Sequence, residues 1–321
     1  MADQGAAVAA ALRTWLAARC DVLDVAVTGR ATVGLSQETW FAEVTTGDGS
    51  VPVVVRLPTP ASGGRAIVTQ RAALQAVAGS AVPAPAVLWH DDGGDNPFGR
   101  PVLVMERIAG TVPAGWHEVA EPTRTRLAEQ AVDVLAALHE LDVDAAELPV
   151  RDPAPTELAW YQHHLARLGD PPPVLRAGLW WLERHAPSPP PRRVLVHGDF
   201  RMGNLVVDGE RLRGVLDWEM AAPGDPLADL TWCFLPVWEL PGVDEPALLA
   251  RYAARTGATL DEERLRWHRV LGYVRLSYYA LSGSRAFATG RSDDLRLAAL
   301  RLQLPIHLDR LAATLAGEPV T

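Results

Sequence analysis

The sequence predicts an α+β chain of two lobes, a smaller strand-rich one in front and a larger, mostly helical one behind. Three observations carry this. A chain of 321 residues, 48% of them hydrophobic, exceeds what a single compact core usually serves. Short β-rich runs punctuated by Gly and Asp crowd its front. From Arg124 onward apolar residues recur instead at helical spacing. The expected boundary lies at 106/107, giving a front lobe of residues 1–106 and a rear lobe of residues 107–321.

The elements follow in order. Leu12, Trp15 and Leu16 share one face of an Ala-rich opening segment, which predicts an amphipathic helix packed on the front lobe. Strands are expected over Val25–Val33, Thr39–Thr45 and Val51–Leu57, the last two joined by a turn at Gly47–Ser50. A helix over Arg65–Ala78 comes next, then strands over Val82–Trp89 and Pro101–Ile108, separated by the polar loop Asp91–Gly99. Behind them, Leu127, Val134, Leu135 and Leu138 mark a helix over Arg124–Leu141, and two proline clusters bracket another over Val174–His185.

The segment Val196–Asp217 reads V-H-G-D-F-R-M-G-N-L-V-V-D-G-E-R-L-R-G-V-L-D. The apolar run Arg193–Val196 enters a short loop bearing His197, Asp199 and Asn204. The strand from Asn204 to Val207 leaves it, and Asp208-Gly209 turns the chain back through Leu212–Leu216. This hairpin returns Asp217 to the side of Asn204. Phosphoryl transfer to a hydroxyl needs an acceptor for the hydroxyl proton and neutralisation of phosphate charge. Asp199 suits the first task. Asn204 and Asp217 offer Mg2+ the one or two hard oxygen ligands it takes from a protein. The D-x-x-x-x-N spacing from Asp199 to Asn204 is that of a kinase catalytic loop. Singly, each of these residues is more often a turn former or strand end than a catalytic group; the spacing joins them.

H-G-D-F-R-M-G-N followed by V-L-D-W-E and G-D-P-L-A-D-L resembles the aminoglycoside phosphotransferase and choline kinase-like superfamily. The branch it is most similar to is that of the kinase-like domains attached to some acyl-CoA dehydrogenases, and the resemblance runs from about Thr28 to about Trp238. It implies a protein-kinase-like two-lobed fold, ATP or GTP with Mg2+, and a small hydroxylated acceptor. The front lobe then clasps the nucleotide and the rear lobe carries catalysis and acceptor binding.

The resemblance assigns roles to further residues. Arg56 ends a strand where kinases place a phosphate-pairing lysine, and its guanidinium offers phosphate a bidentate fork; the other reading is a solvated arginine. The following helix presents Gln70 where relatives carry a glutamate partner. Ser36, after Gly29 and Gly34, belongs either to a phosphate-covering loop or to an ordinary turn. Met105, Glu106 and Ile108 fall in the segment resembling the adenine-reading hinge, with Met105 equally a core residue. Arg201 stands where many kinases set a lysine against the γ-phosphate, with a surface ion pair as the alternative. His197 supports the loop, Glu219 adds a carboxylate near the metal, and Asp225 with Pro226 starts a helix. Asp229, one turn in, is expected to bond the loop backbone. Trp232, Trp238, Trp267, Tyr273, Tyr278 and Tyr279 either wall the acceptor pocket or form core.

The net charge of -9 and the lack of any basic run exclude a nucleic-acid surface. Cys20 and Cys233 are too few for a disulfide framework. No stretch reaches the length of a membrane span and the opening segment lacks a secretory apolar core, so a cytoplasmic protein is expected. A nucleotide-binding scaffold without transfer activity is the alternative from another class, kept open by Gln70 and the weak Gly-rich loop.

Overall fold

The computed structural model describes residues 2–31, 37–59, 64–142, 148, 157–238 and 240–318. They divide into two compact units. One takes in the described residues of Met1–Val112 together with Asn204–Ala221; the other holds Pro113–Asp142, most of Val150–Gly203, and Ala222 onward. Residues 204–221, which a boundary at 106/107 assigns to the rear lobe, therefore cluster with the strand-rich unit.

In the strand-rich unit, helix α1 (Ala2–Ala17) precedes β1 (Val22–Arg30), β2 (Gln37–Thr46) and β3 (Gly49–Pro58); α2 (Arg65–Val77) precedes β4 (Val87–Asp91) and β5 (Val102–Glu106). The strands form one antiparallel sheet in the order β1-β2-β3-β5-β4. Leu12, Trp15 and Leu16 of α1 are buried against Val25, Trp40, Val44 and Val55, so the amphipathic stripe covers one sheet face. Beta structure starts at Val87 rather than at the expected Val82, because Pro83 and Pro85 have no N–H to give a ladder. The hairpin β7 (Leu205–Asp208) and β8 (Arg211–Val215) turns at Gly209, whose φ of 57° suits a primed two-residue turn. It is tied to the rest of the unit by a bridge between Thr111 and Val207 and by the Val215 N–H donating to Pro83 O at 2.8 Å.

The helical unit contains α3 (Thr123–Glu140), α4 (Leu158–Leu168), α5 (Pro173–Arg184), α6 (Pro226–Cys233), α7 (Glu245–Thr256), α8 (Glu262–Ala288), α9 (Leu295–Ala299) and α10 (Leu304–Ala316). Two short strands, β6 (Val194–Val196) and β9 (Ala222–Gly224), pair antiparallel within it. Its core surrounds α8, which buries Trp267, Val270, Tyr273 and Val274 against Leu165, Leu175, Leu182 and Leu311. Trp267 and Tyr273 are thus core residues. Among the described residues no helix is long and apolar enough to cross a membrane.

Candidate active site

The candidate residues fall into two groups, one on each unit. In the strand-rich unit the β7–β8 hairpin aligns Leu205 with Val215, and the Leu216 N–H donates to Asn204 O at 2.8 Å. Asn204, which is buried, and Asp217 therefore stand on adjoining strand ends. Asp217 has φ 67° and ψ 58°, making it the one non-glycine with positive φ among the described residues. A carboxylate in that left-handed region costs about 1–2 kcal/mol of backbone strain, the sort of distortion that persists where the surroundings hold a residue in place. Here they include the 3-10 turn Trp218–Met220, packed under α2, with the Trp218 indole donating to Val215 O.

Arg56, in β3, donates from Nη2 to Asp217 Oδ1 at 2.7 Å and from Nε to Gln37 Oε1 at 2.7 Å. Gln37 Nε2 in turn donates to Glu219 Oε2 at 2.6 Å, and that oxygen lies 3.9 Å from the guanidinium. The arginine is held by this network and not by α2. Gln70, the residue in the helix position where a glutamate partner was expected, points elsewhere: its Nε2 faces Met105 Sδ at 3.9 Å, and its buried Oε1 has no partner among the described residues. The reason is geometric, since β2 runs antiparallel beside β3 and brings Gln37 to the guanidinium first.

The hinge segment divides by residue. Met105 is buried in the sheet, paired with Val54 and Val87, so its side chain is core. Glu106 ends β5 with an exposed side chain whose carboxylate accepts from the Ala86 N–H at 3.4 Å. Ile108 packs on Gly214 of β8 so closely that a Cβ there would meet Ile108 Cδ1 at 2.3 Å. Ser36 lies outside the described residues.

In the helical unit the loop after β6 carries Asp199. His197 is fully buried, and its Nδ1 accepts from the Asp199 N–H at 3.1 Å, so the ring props the loop. Gly198 has φ 81°, a conformation glycine takes without strain. Asp229 of α6 accepts from the N–H groups of His197 at 2.6 Å and Gly198 at 2.8 Å. Burial alone raises its pKa, but the hydrogen bond and charge of His139, the charge of His197 and the backbone donors outweigh that. The carboxyl is held below the usual carboxylate range. His139 also meets Tyr252 Oη at 2.7 Å, which makes it a packed residue of the core. Asp225 caps α6 by accepting from the Leu227 N–H and pairs with Arg264 at 2.6 Å.

Asp199 receives three cationic or polar donors. The Trp232 indole N–H donates to Oδ1 at 2.8 Å, Arg201 Nε approaches both oxygens at 3.3 Å, and Arg275 lies 3.9 Å from Oδ1. Arg275, buried on α8, also donates to Gly198 O at 2.7 Å and stacks 4.0 Å over the Trp232 ring. Trp232 is thus a partner of the aspartate rather than a bare wall. Sequence reasoning passed over Gln37 and Arg275. The first carries no sequence signal, whereas the second stands out as an arginine inside the apolar run Tyr273-Val274-Arg275-Leu276.

The description of one family model, phosphotransferase enzyme family, fits residues 29–268. Acyl-CoA dehydrogenase family member 10 of Mus musculus is 32% identical over 172 residues, which span 50% of this chain but 16% of the mouse protein. Among solved structures, the macrolide 2'-phosphotransferase of Brachybacterium faecium superposes with a TM-score of 0.59 at 24% identity, covering 97% of this chain and 100% of that one. A ternary complex of an aminoglycoside phosphotransferase with ADP and hygromycin B gives a TM-score of 0.62 at 18% identity, covering 97% and 100%. The fold is the kinase-like one of these phosphotransferases.

Proposed function

The chain belongs to the phosphotransferase enzyme family, and on that premise we propose that it moves the γ-phosphoryl group of ATP or GTP to a hydroxyl of a small molecule. The observation that carries this reading is the backbone bond from Leu216 to Asn204. It sets an amide and a carboxylate on adjoining strand ends, with Asp199 five positions before Asn204 in the sequence. Asp199 orients the acceptor hydroxyl and takes its proton as the oxygen attacks phosphorus. The bond from phosphorus to the β-phosphate oxygen breaks, and the nucleoside diphosphate leaves. The Trp232 indole N–H donates to Oδ1 and the Arg275 guanidinium lies 3.9 Å from that oxygen, which together aim the carboxylate.

The family implies Mg2+, and the donor chemistry fits. Asn204 supplies an amide oxygen, and Asp217, with one oxygen given to Arg56, keeps the other; hard oxygens of this kind are what Mg2+ takes. Bound there, the ion would neutralise phosphate charge. Arg56 offers its fork to the phosphates, Glu106 and Ile108 present the adenine-reading backbone, and Arg201 steadies charge on the group in transit. The intact Asp199, Asn204 and Asp217 set weighs against a scaffold without activity, and a cytoplasmic setting would supply the nucleotide.

The test is Asp199→Asn beside the parent, with transfer from radiolabelled ATP and GTP followed across hydroxylated acceptors. The parent transfers, and the variant loses about 10²–10⁴-fold in rate while still binding nucleotide. Equal rates for the two proteins would show that the assigned chemistry is wrong.

A further inference from the structure

Gln37 is the first residue of β2, whose antiparallel register sets Thr39 opposite Arg56 on β3. Side chains alternate faces along a strand, so Gln37 shares a sheet face with Thr39 and lies on the diagonal from Arg56, within reach of a long side chain. It is buried, with 7% exposure, and stands between two charges of opposite sign. Its Oε1 accepts from Arg56 Nε at 2.7 Å, and its Nε2 donates to Glu219 Oε2 at 2.6 Å. A guanidinium N–H only donates and a carboxylate only accepts, so this orientation of the amide is the one that satisfies both neighbours.

The bridge joins segments remote in sequence, 19 residues apart at one end and 182 at the other. Arg56 makes its second short bond from Nη2 to Asp217 Oδ1 at 2.7 Å, two residues before Glu219. Gln37, Arg56, Asp217 and Glu219 thus form a circuit that closes through the 3-10 turn and lies wholly within the strand-rich unit. Arg56 Nη1 has no partner among the described residues, which leaves that end of the guanidinium for an anion. A carboxylate in place of Gln37 could accept from Arg56 but would face Glu219 with like charge. An apolar side chain of equal length would serve neither neighbour. The amide also orients the guanidinium without adding a negative charge of its own, so the charge of Arg56 stays available to phosphate.

We infer that Gln37 is a positioning residue, which fixes the Arg56 guanidinium toward the nucleotide phosphates and couples it to the turn bearing Asp217 and Glu219. The inference rests on the phosphotransferase reading for the role of Arg56 and on the hydrogen-bonded circuit for that of Gln37. It gives β2 the task for which a glutamate on α2 was expected. Gln37 acts through Arg56 alone.

The experiment uses the whole chain and measures by calorimetry, with Mg2+, the binding of the β,γ-imido analogues of ATP and GTP and of adenosine and guanosine. A role in positioning Arg56 confines any loss to the phosphates, whereas a role in packing alone weakens nucleoside and nucleotide alike. Gln37→Met, nearly equal in length but without the amide, is expected to bind the preferred triphosphate analogue about tenfold more weakly and the matching nucleoside as the parent does. In an Arg56→Met background the same substitution has no further effect. Melting curves show that each variant folds; if Gln37→Met does not, Gln37→Asn, too short to span both neighbours, takes its place in the same comparison. Equal losses on nucleoside and triphosphate, additivity with Arg56→Met, or undiminished binding by the Gln37 variant overturns the inference, as does a parent that binds no nucleotide. A parent that shows the expected pattern but transfers phosphate to no acceptor upholds the role of Gln37 and fails the phosphotransferase reading instead.

Discussion

Asp217 is a carboxylate in a left-handed backbone conformation, ion-paired to Arg56 and two residues beyond a strand end. Each of those features costs something alone, and together they define a single orientation for the side chain. Asp199 is positioned differently, by donors rather than by strain. Its Oδ1 takes the Trp232 indole N–H at 2.8 Å, and the buried Arg275 lies under that ring. Trp232→Phe keeps an aromatic ring over Arg275 and removes the donor. A hydrogen bond to a charged group is worth about 1.5–3 kcal/mol, so kcat for transfer should fall roughly 10- to 100-fold with the nucleotide KM unchanged. Steady-state kinetics on the variant, with a melting curve to show that it folds, makes the check; an unaltered kcat would remove Trp232 from the positioning of Asp199.

At the scale of elements, helix α6 and the loop after β6 form one structure. Asp225 caps the helix, and one turn later Asp229 reaches back to accept two loop N–H groups. Because the folded pKa of Asp229 lies below its unfolded value, its contribution to stability is present above the unfolded carboxylate pKa of about 4. That contribution is lost as pH falls through the folded value. The melting temperature of the parent should therefore drop on acidification below about pH 4. Asp229→Asn should be less stable at neutral pH, since one amide oxygen replaces two carboxylate acceptors, and should show a shallower acid slope. Thermal melts from pH 7 to pH 2.5 decide it, and parallel slopes in the two proteins would mean that another group governs the acid limb. The β7–β8 hairpin shows the same logic of close fit: Gly110 sits where a Cβ would meet Val207 O at 2.6 Å, with a φ of 143° that glycine tolerates.

At the scale of the whole molecule, the chain is a family member that spans 16% of the mouse relative it matches, so its own partners and substrates must be measured on it. A ligand that binds only the folded chain raises its stability by mass action, about 2.7 kcal/mol at a hundredfold excess over Kd. For a chain of this length that is a rise in Tm of roughly 5 °C. ATP or GTP with Mg2+ should give that shift, and comparing the two nucleotides reads the donor preference directly. A flat melting temperature with both at millimolar concentration would argue against a nucleotide site.

Much of this was legible in the residues. The α1 stripe of Leu12, Trp15 and Leu16, the hairpin turn at Asp208-Gly209 and the N-cap at Asp225 are local signals, in which the chemistry of a few neighbours selects the backbone. The spacing from Asp199 to Asn204 belongs with them. What only the tertiary structure decided were pairings between distant segments: Gln37 in place of Gln70 beside Arg56, and Trp232 and Arg275 around Asp199. Local periodicity reports which face of an element is buried. It carries no information about which buried face meets which, because that is set by strand order and helix packing over the whole chain.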